Sequence, residues 1–131
     1  MKFLIVDDDL VTRHMLSSIL QTYGNTAEAV NGTEAIQAFK LAKKENIRYD
    51  AIFVDIMMPE MDGQTAVSHI RALERSYGEK PEDEAVIIML SALDDPKNVI
   101  KSYYDSGASS YVVKPVTRDK IEGELRKLKV I

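Results

Sequence analysis

The chain has 131 residues, 45% of them hydrophobic, which is room for one domain with a single buried core and none for a second. A net charge of −4 argues against a broad surface for phosphate backbones, which take clustered Lys and Arg, so no direct nucleic-acid partner is expected. There is no cysteine; disulfides and thiolate metal sites are excluded and a reducing compartment is permitted.

The first element is an apolar run, residues 3–6 (FLIV), that ends in Asp7, Asp8 and Asp9. It reads as a buried strand and is too short for a signal peptide or a membrane span, so no membrane insertion and a cytoplasmic location are expected. Leu16, Ile19, Leu20 and Tyr23 then recur at helical spacing. Residues 26–30 (TAEAV) make a weaker candidate for an edge strand. Asn31, Gly32, Thr33 and Glu34 have the form of a capping box, opening a second helix that carries Ile36 and Phe39. Residues 51–54 (AIFV) are apolar on both faces of a would-be strand and deliver Asp55 to its end, ahead of Met57, Met58 and Pro59. Asp62 and Gly63 read as a turn and helix start, and Val67, Ile70 and Leu73 carry the third helix. The stretch ERSYGEKPEDE, residues 74–84, is rich in charge and holds Gly78 and Pro81; it reads as an extended surface loop. Residues 86–90 (VIIML) form a fourth buried run ending in Ser91. Asp95 and Pro96 offer a cap and a first-turn proline to a fourth helix with Val99, Ile100, Tyr103 and Tyr104. Residues 111–113 (YVV) make the fifth strand, followed by Lys114 and Pro115, and Ile121, Leu125 and Leu128 mark the fifth helix. Five strands alternating with five helices specify an α/β fold with a parallel sheet and right-handed crossovers, expected as one domain over residues 1–131 without an output domain.

The polar residues gather at the strand ends. Ligands of an open parallel sheet bind beyond the carboxyl ends of its strands. Here those ends carry Asp7, Asp8 and Asp9, then Asp55, then Ser91, then Lys114. Three carboxylates held close, Asp7, Asp8 and Asp55, repel one another unless a cation intervenes. Oxygen donors without His or Cys suit Mg²⁺, which binds through one or two carboxylates and substrate phosphate. Lys114 supplies a point charge for a phosphoryl oxygen and Ser91 a hydroxyl donor. A carboxylate nucleophile, a divalent cation and a lysine are what phosphoryl transfer to aspartate requires. Asp55 stands alone at its strand end and is the better nucleophile; the leading acids read as the cation cradle.

The motifs FLIVDDD, VDIMMPEMDG, IIMLSA and GASSYVVKP occur in the order and spacing of response-regulator receiver domains, the CheY-like family of two-component signalling, and the chain resembles that family over essentially its whole length. The resemblance implies the flavodoxin-like, doubly wound strand order 2-1-3-4-5. It implies that Asp55 accepts phosphate from a sensor histidine kinase or a histidine phosphotransfer protein. Asp8 would bind Mg²⁺ directly and Asp7 mainly through water, with Asp55 and the backbone carbonyl of Met57 completing the ligands. Lys114 and Ser91 would hold the phosphoryl group, with Lys114-Pro115 in the cis form, and Tyr111 would be an aromatic switch paired with Ser91. The output surface would be the fourth helix, fifth strand and fifth helix, carrying Lys97, Lys101, Tyr104, Arg118 and Glu122, where a downstream protein binds. Such a protein is a phosphoacceptor switch that catalyses its own phosphorylation and dephosphorylation and turns over no external substrate.

Other readings are simpler or different. Asp8 or Asp9 could do no more than cap the first helix, Ser91 could be a turn residue, and His14 and His69 read as solvated surface residues. Asp7 and Asp9 with Ser91 and Lys114 also resemble haloacid-dehalogenase-type phosphatases, in which Asp7 would be the nucleophile and Asp9 the general acid. That family needs a further acidic motif at a strand end, whereas Asp119, Glu122 and Glu124 fall in the last helix, and Asp55 is left without a role. A flavin-binding module would set the three leading aspartates against the cofactor phosphate.

Overall fold

The computed structural model describes residues 1–92, 101 and 105–131. Its elements run β1 (Lys2–Val6), α1 (Leu10–Leu20), β2 (Asn25–Ala29), α2 (Gly32–Lys44), β3 (Ala51–Asp55), α3 (Gly63–Ser76), a 3₁₀ turn at Pro81–Asp83, β4 (Val86–Ser91), β5 (Ser110–Val113) and α4 (Arg118–Lys127). The last helix is the one counted fifth in the sequence. Four α-helices therefore stand among the described residues. The expected segment with Val99, Ile100, Tyr103 and Tyr104, together with its Asp95-Pro96 cap, Lys97 and Leu93, lies outside them. Lys101, Asp105 and Ser106 are themselves helical.

The five strands are all parallel, in the order β2-β1-β3-β4-β5. Successive strand residues point to opposite faces, and here both faces are apolar, which is why the runs read as unbroken hydrophobic segments. Leu4, Val6, Ile52, Val54, Ile87 and Met89 pack with Ala35 and Ala42 of α2 and Val67 and Ile70 of α3. Phe3, Ile5, Phe53, Ile88, Leu90 and Val112 pack with Leu16, Ile19 and Leu20 of α1 and Ile121 and Leu125 of α4. Burial of each such side chain is worth about 1.5–3 kcal/mol. With two layers of helices supplying that burial, the strand ends are free to carry polar groups.

Two boundaries differ from the sequence reading. β2 is an edge strand at Asn25–Ala29, and Val30 lies beyond it, 40% exposed. The capping box explains the shift. Asn31 Oδ1 accepts from Glu34 N at 2.8 Å, and Glu34 Oε1 reaches back to the Val30 N–H at 3.1 Å, removing that donor from the ladder. The second correction concerns residues 74–84. The helix α3 continues through Ser76, and Glu74 is only 2% exposed. Its carboxylate takes the Arg71 guanidinium at 2.6 Å and the Ala85 N–H at 2.7 Å, so a charged residue is buried because both oxygens are satisfied. Arg71 also donates to the carbonyls of Ala85 and Gly107, at 2.9 and 3.0 Å. The loop proper starts at Tyr77 and is pinned to α2 by the Lys43–Glu79 ion pair at 2.6 Å.

Removing one partner of a buried ion pair strands the other charge. Glu74→Ala is expected to lower the unfolding free energy by about 3–5 kcal/mol. Glu84 sits 3.8 Å from the same guanidinium and is far more exposed, so Glu84→Ala should cost less than about 1 kcal/mol. Urea unfolding at neutral pH measures both, and equal losses would contradict the buried-pair account.

Candidate functional site

Because β1, β3, β4 and β5 are consecutive across the sheet, their last residues converge at one edge. Asp7 follows β1 and is fully buried; Asp55 ends β3 at 6% exposure and Ser91 ends β4 at 2%. Lys114 follows β5, and its bond to Pro115 is cis, as expected. The Lys114 ammonium lies 2.9 Å from Asp7 Oδ2 and 3.4 Å from Asp55 Oδ2. The Asp7 contact is an ion pair without hydrogen-bond alignment, since Asp7 Oδ2 has no hydrogen-bond partner among the described residues. Oxygen atoms of Asp7, Asp8 and Asp55 come within 4.8 Å of one another, with Asp8 exposed at the mouth.

The backbone around the pocket is tied down locally. Asp7 Oδ1 accepts from Asp9 N at 2.9 Å, and Asp55 Oδ1 from Met57 N at 3.3 Å. Asp9 itself caps α1, taking the Val11 N–H at 3.1 Å and the Thr12 hydroxyl at 2.7 Å. The capping role weighed for the triple Asp therefore belongs to Asp9 and leaves Asp7 and Asp8 for the pocket. Gly63 at the start of α3 donates to Ile56 O at 2.8 Å, and a Cβ there would meet the Asp55 carbonyl oxygen at 2.2 Å. Only glycine permits this approach. The sequence places Asp62 and Gly63 at a turn and helix start, which α3 bears out; the close approach depends on the packing of α3 on β3. The sequence reading passed over Arg13, whose guanidinium donates to the Asp7 carbonyl at 2.8 Å. Nothing in the local sequence around an arginine in a helix signals such a bond.

Of the expected site residues, Asp7, Asp8, Asp55 and Lys114 are brought together by distance, Ser91 by its place at the end of β4, and Met57 by its N–H on Asp55. Tyr111 is on β5, in register with Met89 and 41% exposed, short of the pocket. His14 and His69 are exposed, in keeping with a surface role.

The electrostatics follow from this geometry. Burial pushes the Asp55 carboxyl up to about 7, the Asp7 charge adds to the rise, and Lys114 opposes it. For Lys114, burial pulls the ammonium down, but its close contact with Asp7 and the charges of Asp55 and Asp7 outweigh it, and the net displacement is upward. Asp9 is lowered by its bond from the Thr12 hydroxyl and then by the Val11 N–H. A pocket of three carboxylates against one ammonium has an uncompensated negative charge, and its all-oxygen donor set fits Mg²⁺. The buried Ser91 Oγ, without a hydrogen-bond partner among the described residues, fits an incoming oxygen acceptor.

Comparison with known proteins decides the family. The model of the response regulator receiver domain matches residues 3–126. The chain belongs to that family. It is 34% identical to the chemotaxis protein CheY of Listeria monocytogenes over 129 residues, 97% of each chain. With Bacillus subtilis CheY it shares 35% over 122 residues, 92% of this chain and 90% of that one. Among solved structures, the CheX-CheY-BeF3-Mg complex from Borrelia burgdorferi superposes with a TM-score of 0.79 at 30% identity, covering 100% of this chain and 90% of that one. The strand order of this receiver domain is the CheY-like, flavodoxin-like order expected from the motifs. Two residues of the rival phosphatase reading are otherwise occupied: Asp9 caps α1, and Glu124 of α4 accepts from Ser110 at 2.7 Å. No helix among the described residues is long and apolar enough to cross a membrane.

A carboxyl raised on folding binds its proton more tightly in the native state than in the unfolded chain. Between the ordinary Asp value of 3.8 and about 7, Asp55 therefore makes the metal-free protein less stable as pH rises. In EDTA, Asp55→Asn is expected to be more stable than the parent at pH 8, with the difference shrinking toward pH 4. Addition of Mg²⁺ should stabilise the parent at pH 8. A pH-independent difference between the two proteins would remove Asp55 as the titrating group.

Proposed function

We propose that the chain is a phosphorylation switch in which Asp55 accepts a phosphoryl group in a Mg²⁺-dependent reaction. The observation that carries this reading is the Lys114 ammonium lying between the buried carboxylates of Asp7 and Asp55. It sets a fixed cation beside the carboxylate that would become charged with phosphate. Asp55 lies at a strand end with one oxygen bonded to the Met57 N–H, so its carboxylate is oriented before the donor arrives. Its oxygen attacks the phosphorus of a phosphohistidine protonated on its other ring nitrogen; the O–P bond forms, the P–N bond breaks, and the neutral imidazole leaves with the bonding pair. Asp8, Asp55 and the Met57 carbonyl would hold Mg²⁺ directly and Asp7 through water. Bound there, the cation would neutralise charge on the transferring oxygens. Lys114 then pairs with one phosphoryl oxygen, and the Ser91 hydroxyl donates to another.

The donor would be a sensor histidine kinase or a histidine phosphotransfer protein in the cytoplasm. A covalent phosphoryl group draws Ser91 toward it, and Tyr111, part-exposed on β5, turns inward in response. The surface altered is the expected fourth helical segment with Lys101, together with β5 and α4, which carries Arg118 and Glu122. A downstream protein reads that face, and the switch transmits only the free energy by which phosphate prefers one state. The Borrelia CheY relative was solved with both Mg and BeF3 and with CheX, which supports the same site chemistry and a protein partner here. The chain turns over no external substrate in this reading.

Acetyl phosphate with Mg²⁺ should add one phosphoryl group to Asp55, and beryllofluoride should occupy the same place. Asp55→Asn abolishes both, and chelation of the metal stops labelling. Intact-mass and peptide analysis locates the group. Label on Asp7 would favour the phosphatase chemistry instead.

The lifetime of the acyl phosphate depends on whether a side chain can align the attacking water. Met57, two residues past Asp55, is 67% exposed and apolar; Leu93, two past Ser91, is also apolar by sequence. Neither can accept a proton from that water. Self-dephosphorylation is therefore slow, and Met57→Asn with Leu93→Glu should shorten the half-life by at least about tenfold. Unchanged decay, followed by phosphate release, would show that water alignment does not limit the rate.

A further inference from the structure

Arg13 lies on α1, and no step of the proposed phosphoryl transfer uses it. Its Nη1 donates to the carbonyl oxygen of Asp7 at 2.8 Å, and its Nε pairs with Glu28 Oε1 on β2 at 3.2 Å. The Arg13 side chain is 13% exposed and Glu28 44%, so the bridge between α1, β2 and the acidic loop is covered at its Arg13 end and open at Glu28. The carbonyl it holds belongs to the peptide plane joining Asp7 to Asp8. Rotation of that plane moves the two carboxylates on either side of it relative to each other. Those two carboxylates are two of the three whose oxygens converge within 4.8 Å. Other bonds hold the flanks of the loop: Asp7 N to Ala29 O at 3.1 Å, and Asp9 N to Asp7 Oδ1 at 2.9 Å. The bond from Arg13 acts on the plane between the two acids.

We propose that Arg13, oriented by Glu28, is a positioning residue for the cation site, fixing the Asp7–Asp8 peptide so that both carboxylates face the metal. The inference rests on the Mg²⁺-dependent reading of the pocket. Outer groups that orient metal ligands often matter almost as much as the ligands themselves. The sign of the effect separates this role from the obvious alternative. As a charge alone, a guanidinium near the pocket repels a divalent cation, and its removal would tighten Mg²⁺ binding. As a positioning group, its removal weakens binding.

The test is a Mg²⁺ titration of the unphosphorylated chain, read by the amide shifts of Asp8, Asp9 and Met57, in the parent, Arg13→Met, Arg13→Lys and Glu28→Gln. Arg13→Met is expected to weaken Mg²⁺ binding about tenfold. Arg13→Lys should recover part of that loss, because an ammonium can reach one of the two acceptors. Glu28→Gln, which keeps an oxygen acceptor for Nε, should lose less than Arg13→Met. Unchanged or tighter binding in Arg13→Met overturns the proposal, even where its unfolding midpoint in EDTA falls, since that pattern marks a staple between α1 and β2. If Arg13→Met does not fold, Arg13→Lys carries the comparison, with weaker binding than the parent expected and parity overturning the idea. A parent that shows no Mg²⁺ response removes the reading of the pocket itself, and this inference with it.

Discussion

Three carboxylates share one small pocket with a single ammonium, and the protein has to hold them there against their own repulsion. That constraint organises the structure. Asp7 and Asp55 are buried at the ends of strands that apolar packing on both faces fixes in place. The energy of the core, together with the Lys114 ammonium set against Asp7 and Asp55, keeps the charges together. The carboxyl of Asp55 is raised first by its burial and then by the Asp7 charge. In the function proposed above, a cation and a phosphoryl group would relieve the repulsion among the carboxylates.

Much of this could be read in the sequence because it depends on local rules. Residues 51–54 are apolar at every position, which only a strand covered on both faces explains, and that pattern located Asp55 at a strand end. The caps at Asn31 and Asp62 were legible for the same reason: Asn31 Oδ1 takes the Glu34 N–H, and Asp62 Oδ1 takes the Thr65 N–H, each three residues on. What was not legible depended on partners distant in the chain. Glu74 looked like part of a charged loop, because its burial depends on Ala85 and on an Arg71 that is itself anchored to Gly107. Gly63 was legible as a helix start but not as a close approach, because its near neighbour is a carbonyl of a different element. The strand order itself came from the family resemblance, since pairing order is a long-range property that periodicity does not encode.

Buried charge occurs at both ends of the sheet, and the two cases are handled in opposite ways. At the start of β4, Arg71 and Glu74 satisfy each other and the surrounding backbone groups, leaving that end closed. At the carboxyl ends, Asp7 Oδ2 and Ser91 Oγ lack hydrogen-bond partners among the described residues. The polar groups at one end are satisfied within the chain; at the other, two buried oxygens are not.

The loop after α3 turns at Gly78, which has φ +76° and no atom within 4 Å of where a Cβ would stand. It leads through the 3₁₀ turn into β4, whose six residues end at Ser91, so the loop meets the strand at the end opposite Ser91. Closing a longer loop costs little extra free energy, because that cost grows only with the logarithm of its length. Gly78 is therefore a natural splice point. A tag inserted there would enter the chain at a loop between α3 and β4, outside the strand ends that carry Asp7, Asp55, Ser91 and Lys114.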